Sequence, residues 1–355
     1  MKLSIATNWT ADLIAGLAPY PVADVYGSLP TTPVGSGRPA MFLPPITKEA
    51  AAEHIQLVHR KGMRFNYLFN GMCIGKRDFN AVERDLLPQL EWVQSLGVTL
   101  ITVAHPTALG VVKKHCPQIR VKMSILSDFD SVQKVKALEQ LGADDIALSI
   151  MFNRDFAFLD AVARATSCGL TLLLNQACLY MCAHRLNHGA INAHASLADA
   201  ENDGFGINYV LMKCAIEKLQ DPAALIKSRV IRPEDLPVYE ALGYDTFKIA
   251  GREMDTPWLV NTARAYSQKR YDGNFCDLLN GVAVMMGSGH ANRRMPFIDN
   301  RALDGFITRF TDGRCSGRCD DCGYCAKWAS RSVNLFSGDN AALIDTLCKM
   351  KEMML

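Results

Sequence analysis

Short runs rich in β-branched residues alternate with longer stretches of helical period over roughly the first 270 residues. The stretch "SLGVTLITVAH", residues 95–105, shows the unit: a helix end, a glycine stop, a strand and a polar loop. Helical stretches such as "DSVQKVKALEQLG" end in Leu-Gly, a C-cap in which glycine tolerates the left-handed conformation. The runs predict strands at Leu3–Ala6, Ala23–Tyr26, Arg64–Leu68, Thr99–Ala104, Arg120–Ser124, Asp145–Leu148, Leu170–Leu174, Arg229–Ile231 and Thr246–Ala250.

This alternation implies an α/β fold in which helices bury a parallel sheet. About eight units over roughly 265 residues fit a TIM-like (β/α) barrel, either regular or incomplete and distorted, better than an open sheet. A doubly wound sheet is the alternative, but no glycine-rich phosphate loop follows the first strand. We expect residues 1–270 to form the barrel and residues 271–355 to form a C-terminal cysteine-rich extension.

The active sites of such barrels lie at the carboxyl ends of the strands. Lys248 and Arg252 belong to the last unit, and an arginine fork matches carboxylate or phosphate, which favours an anionic substrate. Alternatively, Lys248 only forms a structural ion pair and Arg252 is a surface residue. The strand ends predict a barrel mouth lined by Asn70 to Cys73, His105, Ser124, Asn175 to Cys182 and Arg252.

Composition bears on partners and compartment. The formal net charge of +2 gives no global electrostatic case for nucleic acid or a membrane. No apolar run is long enough to cross a bilayer, and "MKLSIATNWTADL" lacks the features of a signal peptide, so we expect a cytoplasmic protein. The 12 cysteines should then be thiols rather than disulfides. A small-molecule substrate is favoured, with RNA as the alternative because "NRRMPF" and "KWASRS" offer basic and aromatic fragments.

The stretch "CSGRCDDCGYC" carries four cysteines: Cys315, Cys319, Cys322 and Cys325. Their C-x3-C-x2-C-x2-C spacing lets a short chain segment wrap one metal centre, and Gly317 and Gly323 permit the turns. The reverse order of gaps occurs in bacterial ferredoxins, which favours a [4Fe–4S] cluster. A structural zinc site, whose ligands usually come as two separated pairs, is the alternative. The first three cysteines also match the radical SAM spacing, but that motif follows the first strand of its barrel, not the last.

A second constellation lies in "LLLNQACLYMCAHRLNH", residues 172–188. Cys178 and Cys182 directly follow a predicted strand, so we expect them in the barrel mouth as metal ligands. If the loop begins a helix, their four-residue spacing puts them on one face, and the same holds for His184 and His188, the candidates for proton transfer. The alternatives are a core face for the cysteines and plain solvation for the histidines. Cys214, in "NYVLMKCAIEKL", is by default a buried structural cysteine.

The run "YEALGYDTFKIAGREMDTPWLVNTARAYSQKR" resembles the "KIEGR" block of peptidase family U32, the collagenase-like peptidases. Three other stretches resemble further blocks of that family: "ADVYGSLP", "SLGVTLITVAHPTALGVVKKHCPQIRVKMS" and "LTLLLNQACLYMCAHR". The resemblance implies an incomplete barrel that carries a [4Fe–4S] cluster on four cysteines. It also implies oxygen-independent hydroxylation, of ubiquinone precursors or of RNA bases, with prephenate used by some members.

By position, the resemblance implies that Cys178 stands at the family's first cluster cysteine and Cys214 at its last. Cys182 lies in the same loop without the family's spacing, and Arg185 is nearer the second family cysteine. Ala250 replaces the glutamate of "KIEGR", and the tail quartet is not part of the family pattern. The resemblance therefore implies the fold and, in outline, the cluster, but it does not imply the substrate.

We expect an iron–sulfur enzyme that acts on a small anionic substrate or a modified base by oxygen-independent hydroxylation or a related Lewis-acid or sulfur-transfer reaction. One or two [4Fe–4S] clusters would use Cys178, Cys182 and Cys214 in the mouth and the quartet in the tail, with zinc as the alternative in the quartet. An electron donor or partner subunit is expected. Two other functions stay open: a U32-type peptidase with a Cys178–His184 pair, and an electron-transfer or cluster-carrying subunit of a complex. The catalytic candidates are His184, His188, Lys248 and Arg252.

Overall fold

The structure is a computed structural model that describes residues 1–198, 205–281, 284–285, 293–294, 296–335 and 340–353. Parallel strands close a barrel in the order of the sequence, so the barrel is regular rather than incomplete. Strand β8 pairs with both β7 and β1, which completes the closure. The strands are β1 Lys2–Ala6, β2 Val22–Gly27, β3 Arg64–Phe69, β4 Leu100–Val103, β5 Arg120–Met123, β6 Asp145–Ala147, β7 Gly169–Leu173 and β8 Thr246–Ile249.

The α/β barrel prediction is confirmed, but the predicted strand at Arg229–Ile231 is wrong. Strand β8 takes the place beside β7, so no position in the barrel remains for that segment. It runs past the end of β7 instead, where the backbone N–H of Ile231 donates to the carbonyl of Leu174 at 2.8 Å. The side chain of Asn153 binds the carbonyl of Arg229 at 2.9 Å. An apolar, β-branched run here covers the end of the barrel rather than joining it.

Helices cover the outside of the barrel, and polar side chains cap the N-termini of several. The side chains of Thr47, Asp78 and Asp255, for example, each accept a hydrogen bond from a backbone N–H of the first turn. Gly97 and Gly142, the glycines of two Leu-Gly helix ends, have φ of 77° and 95°, as the sequence predicts. The helices are α1 Ala11–Leu17, α2 Lys48–Arg60, α3 Phe79–Ser95, α4 Pro106–His115, α5 Val132–Gln140, α6 Phe156–Ala165, α7 Arg185–His194, α8 Phe205–Gln220, α9 Pro222–Lys227, α10 Leu236–Glu240 and α11 Thr256–Gln268.

Alternate residues of the strands serve two environments. Leu3 and Ile5 of β1 belong to the apolar core shared with the helices, whereas Ser4 between them takes part in a chain of buried polar groups. The Ser4 hydroxyl donates to Asp24 Oδ1 at 2.6 Å, and Asn66 Nδ2 donates to the same oxygen at 3.4 Å. Polar side chains of these strands therefore face the interior of the barrel. Charged residues continue this polar interior at the open end.

The extension consists of short elements: β9 Val284–Met285, β10 Arg293–Arg294, β11 Phe297–Ile298, α12 Thr308–Thr311, α13 Cys319–Cys322, α14 Tyr324–Ser332, β12 Val333–Asn334 and α15 Asn340–Glu352. Helix α14 packs on α9, and α15 packs on α8. A second apolar core joins Ile226 and Val230 to Phe306 and Phe310 of the extension. The division at residue 270 stays a prediction. Within the residues described, no helix is both long enough and apolar enough to cross a membrane.

Candidate functional site

The residues predicted at the strand ends do follow their strands, but several of them hold the loops together. Asn70, after β3, donates to the Ser124 hydroxyl at 3.3 Å and accepts from the backbone of Gly37 at 3.1 Å. Fully buried Asn175, after β7, donates to the carbonyls of Ala250 and Leu278, both at 3.1 Å. These side chains therefore fix the shape of the mouth.

His105 has a similar local role. It caps α4, and its Nδ1 accepts from the backbone N–H of Thr107 at 3.2 Å. Burial lowers the pKa of His105, so the ring is neutral at pH 7 and suited to that acceptor role. We assign it to the start of the helix rather than to chemistry.

The thiols of Cys182 and Cys214 lie near the Cys178 thiol in the mouth. Burial raises the pKa of Cys178, Arg185 and Lys218 oppose that rise, and Cys214 and Cys182 lie close enough to add to it. Cys214 is carried by α8, so this helix is the element that brings the third thiol to the loop after β7.

The prediction that a helix places Cys178 and Cys182 on one face is wrong. Met181 has a φ of 50°, and α7 begins only at Arg185. The loop is held instead by its backbone, because Ala177 donates to the carbonyl of Asn280 at 2.9 Å. A turn, rather than a helix, brings the two thiols near each other.

For the two histidines, the helical spacing is correct. His184 occupies the N-cap position of α7, and the backbone N–H of His188 donates to the carbonyl of His184 at 2.7 Å. The His184 ring packs edge-on against Tyr209, with 6.2 Å between ring centroids. Burial, followed by the charges of Arg38, Lys218 and Arg185, lowers the pKa of His188 to about 4. His188 is thus a neutral imidazole among cations at pH 7.

The mouth is cationic. Arg252 is only 6% exposed, and its Nη1 donates to the Ser28 hydroxyl at 3.2 Å. Burial and then the charge of Arg38 lower the pKa of Arg252 to about 10, so the guanidinium is still charged at pH 7. Arg38 in turn contacts Glu253 Oε1 at 3.1 Å. The alternative that Arg252 is a surface residue is wrong.

Lys248 lies near Arg252, and its Nζ is 3.9 Å from the centroid of the Tyr26 ring. Burial lowers its pKa to about 7, with contributions from Lys122 and Arg252, whereas Asp24 raises it. In the described part of the chain Lys248 has no carboxylate within 4.0 Å, so it is not a structural ion-pair partner. Asp24 Oδ2 is buried without a hydrogen-bond partner among the same residues.

The tail quartet forms a separate site. Cys315, Cys319, Cys322 and Cys325 line one cavity of about 280 Å³. Gly317 and Gly323 have φ of 74° and 63°, as the predicted turns require. Burial raises the pKa of Cys325, and Arg154 and Arg229 oppose that rise. Tyr180, from the loop that carries Cys178 and Cys182, forms part of the cavity wall.

Both groups of thiols suit iron–sulfur chemistry by donor type, because cysteine sulfur is the ligand that such clusters take. Within the described ranges no three His, Cys, Asp or Glu side chains are arranged as the ligands of a single ion. The four tail thiols border one cavity rather than converging on one point.

One thiol–imidazole contact escaped the sequence analysis. Cys73 Sγ lies 3.8 Å from His194 Nδ1, and the backbone N–H of Gly75 donates to the same sulfur at 3.4 Å. Cys73 is in the loop after β3 and His194 ends α7, so no local pattern links them. The described residues show no hydrogen bond between Cys178 and His184, the pair named for the peptidase alternative.

Residues 44–155 match the model of peptidase family U32. An uncharacterized protease of Methanocaldococcus jannaschii is 28% identical over 316 residues, which cover 88% of this chain and 89% of that protein. The chain is similar to peptidase family U32.

This chain is also similar to the solved structure of the U32 peptidase Mk0906. The TM-score is 0.51 and the sequence identity 17%, over 70% of this chain and 92% of the Mk0906 chain. The likeness agrees with the barrel fold. The predicted resemblance to the U32 family is confirmed. Both groups of cysteines lie outside residues 44–155, so the family match does not assign them a role.

Proposed function

We propose that this protein is an iron–sulfur enzyme that binds a small anionic substrate in the mouth of its barrel. The observation that supports this proposal is the proximity of the Cys182 and Cys214 thiols, and of Arg185 and Lys218, to the Cys178 thiol. Oxygen-independent hydroxylation, or a related Lewis-acid or sulfur-transfer reaction, is the chemistry that we propose.

The three mouth thiols would hold a [4Fe–4S] cluster. Such a cluster, when bound through three protein thiolates, supplies an iron that can act as a Lewis acid toward substrate oxygen, sulfur or carboxylate. Burial keeps the Cys178 thiol protonated at pH 7, so its ligation must release a proton. Arg185 and Lys218 favour the thiolate and so assist that release.

The side chains of the mouth would bind and orient the substrate. Among the described residues Arg252 makes one hydrogen bond, to Ser28, and its remaining donors suit a carboxylate or phosphate. His188, whose pKa is about 4, stays neutral and can hydrogen-bond the substrate, whereas a lysine whose pKa is about 7, such as Lys248, can donate or accept a proton near neutral pH. When water supplies the oxygen, hydroxylation removes two electrons and two protons from the substrate, so a separate electron acceptor would receive the electrons.

Metal analysis after anaerobic purification tests the proposal. The double variant Cys178→Ala/Cys182→Ala should lose about four irons and a matching amount of acid-labile sulfide per chain. Cys168→Ala is the matched control, because Cys168 lies before β7, at the opposite end of the barrel, and donates to the carbonyl of Ala143. Unchanged iron and sulfide in the double variant would refute a cluster in the mouth.

A cysteine peptidase is the second candidate. The contact between Cys73 and His194 favours it, because an imidazole beside a thiol can generate the nucleophile of such enzymes. The names of the matched family and of its Methanocaldococcus relative point the same way. Cleavage of peptides by the aerobic, iron-free protein, lost in Cys73→Ser and kept in Cys178→Ala, would support this alternative over the iron–sulfur enzyme.

A further inference from the structure

We infer that the cavity of the four tail cysteines is a separate [4Fe–4S] site whose negative charge is balanced by Arg229 and Arg309. This inference does not depend on the proposed function of the mouth. It rests on the cavity, on buried cations that lack counter-charges, and on the way the extension packs around the thiols.

The cavity suits a cluster in size and donors. It measures about 280 Å³ and is bordered by all four thiols of the quartet. A zinc ion in a structural site draws its four sulfurs to about 2.3 Å, whereas among the described residues no three thiols are arranged around a single ion. A cluster carries its own sulfide inside the ring of cysteines, and so it fills a larger opening.

The cavity also collects positive charge without an acidic partner. Arg229 is 7% exposed, and Arg309 is half-buried. The Nε atoms of both are buried without a hydrogen-bond partner among the described residues. Neither guanidinium lies within 4.0 Å of a carboxylate in that part of the chain. Burying an unpaired charge is costly, so the fold has room for an anion here.

A cluster on four thiolates supplies that anion, since the thiolates outweigh the charge of its core. One contact already shows the pairing: Arg309 Nη2 donates to Cys322 Sγ at 3.4 Å. Arg229 has its guanidinium carbon 4.0 Å from the centroid of the Tyr180 ring, so it is held in the wall of the cavity. Both arginines are therefore placed to stabilise a negatively charged centre, and the reduced form most of all.

Aromatic side chains shield one side of the site. Phe306 stacks on Tyr324 with 5.5 Å between centroids, and Trp328 meets Phe306 edge-on at 5.6 Å. Cys322, by contrast, is exposed. The cluster would thus lie between an aromatic wall and the protein surface, a position suited to exchange of electrons with a partner.

The test uses the full chain, purified without oxygen. Cys319→Ala/Cys322→Ala should lose about four irons and the matching sulfide, while Cys348→Ala on α15, the matched control, should keep both. Stoichiometric zinc without sulfide in the tail, or unchanged iron in the double variant, would overturn the inference. If the mouth variant Cys178→Ala/Cys182→Ala keeps its iron and the tail variant loses all of it, the tail site stands and the mouth proposal fails.

A second measurement applies if the tail variant does not fold. Arg309→Gln keeps every thiol, so iron and sulfide should be unchanged. The midpoint potential of one cluster should fall, because a cation that favours the reduced form is lost, and Arg309→Lys should restore most of it. Arg314→Gln is the control, since Arg314 is exposed and pairs with Asp312 at 2.6 Å. An unchanged potential in Arg309→Gln would contradict the role of Arg309.

Discussion

The Nζ of Lys248 on β8 lies 3.9 Å from the centre of the Tyr26 ring on β2, across the end of β1 between them. The Tyr26 hydroxyl is occupied, since it donates to the carbonyl of Ile249 at 2.7 Å. The ring thus offers its face, rather than its oxygen, to the lysine. This contact leaves the ammonium group with a cation–π partner in place of a carboxylate.

We predict that Lys248 titrates near pH 7, because burial and the neighbouring Lys122 and Arg252 disfavour its charged form. Reductive methylation with ¹³C-formaldehyde followed by NMR measures this directly. One resonance should titrate near pH 7 and be missing from Lys248→Arg. Asp24→Asn should move it to lower pH, because Asp24 favours the charged lysine. A Lys248 resonance at the ordinary lysine pKa of about 10.4 would contradict the prediction.

Arg252 should carry much of the affinity for anions. Hydrogen bonds to charged groups contribute about 1.5–3 kcal/mol, so Arg252→Gln should weaken the binding of a dicarboxylate or phosphate about tenfold or more in calorimetry. Arg164→Gln is the control, since Arg164 is on the outer helix α6 and pairs with Asp160 at 2.9 Å. Equal affinities in the two variants would show that Arg252 does not face the ligand.

Much of this architecture could be predicted from the sequence. The barrel strands were found because the β-branched runs and the Leu-Gly helix ends recur in a fixed order. Barrel topology then placed Cys178, Cys182 and Arg252 at one end, since parallel strands bring their carboxyl ends together. The grouping of Cys214 with the mouth thiols came from the family resemblance, because a cysteine on a helix gives no such signal by itself.

Other features depend on contacts that no local pattern records. Cys73 and His194 are 121 residues apart in the chain. Arg229 belongs to a run that reads as a strand, yet it lines the tail cavity because that run covers the barrel end. The positive φ of Met181 breaks the helix expected through Cys178 and Cys182. Tertiary packing decides each of these cases.

His54 should make the fold sensitive to acid. Burial lowers its pKa from 6.5 to about 4, so the unfolded chain takes up a proton in this range before the folded one does. Stability is therefore lost as the pH falls from 6.5 to about 4, by on the order of 3 kcal/mol. Chemical unfolding at pH 7 and pH 4 should show a correspondingly smaller loss in His54→Gln.

Thr7→Val separates burial from hydrogen bonding as the cause of this acid sensitivity. The Thr7 hydroxyl lies 2.9 Å from His54 Nε2. Because burial alone lowers the pKa of His54, Thr7→Val should keep most of the acid-dependent loss. A loss in His54→Gln as large as in the wild type would show that other groups are responsible.

Gly251 should resist substitution because of both its conformation and its surroundings. Its φ is 145°, and a Cβ would lie 2.7 Å from the Trp258 ring. Gly251→Ala should reduce the free energy of unfolding by about 1–3 kcal/mol and weaken anion binding by displacing Arg252. Gly62→Ala is the control, with a φ of 76° and no atom within 4 Å of the added Cβ. It should cost about 1 kcal/mol and leave anion binding unchanged.

Anomalous scattering at the iron edge, from crystals grown without oxygen, tests most directly whether the mouth thiols hold iron. We predict an iron peak bordered by Cys178, Cys182 and Cys214, with a second peak in the cavity of the tail quartet. Well-ordered, unoxidised thiols of these three residues without iron density between them would contradict the central claim.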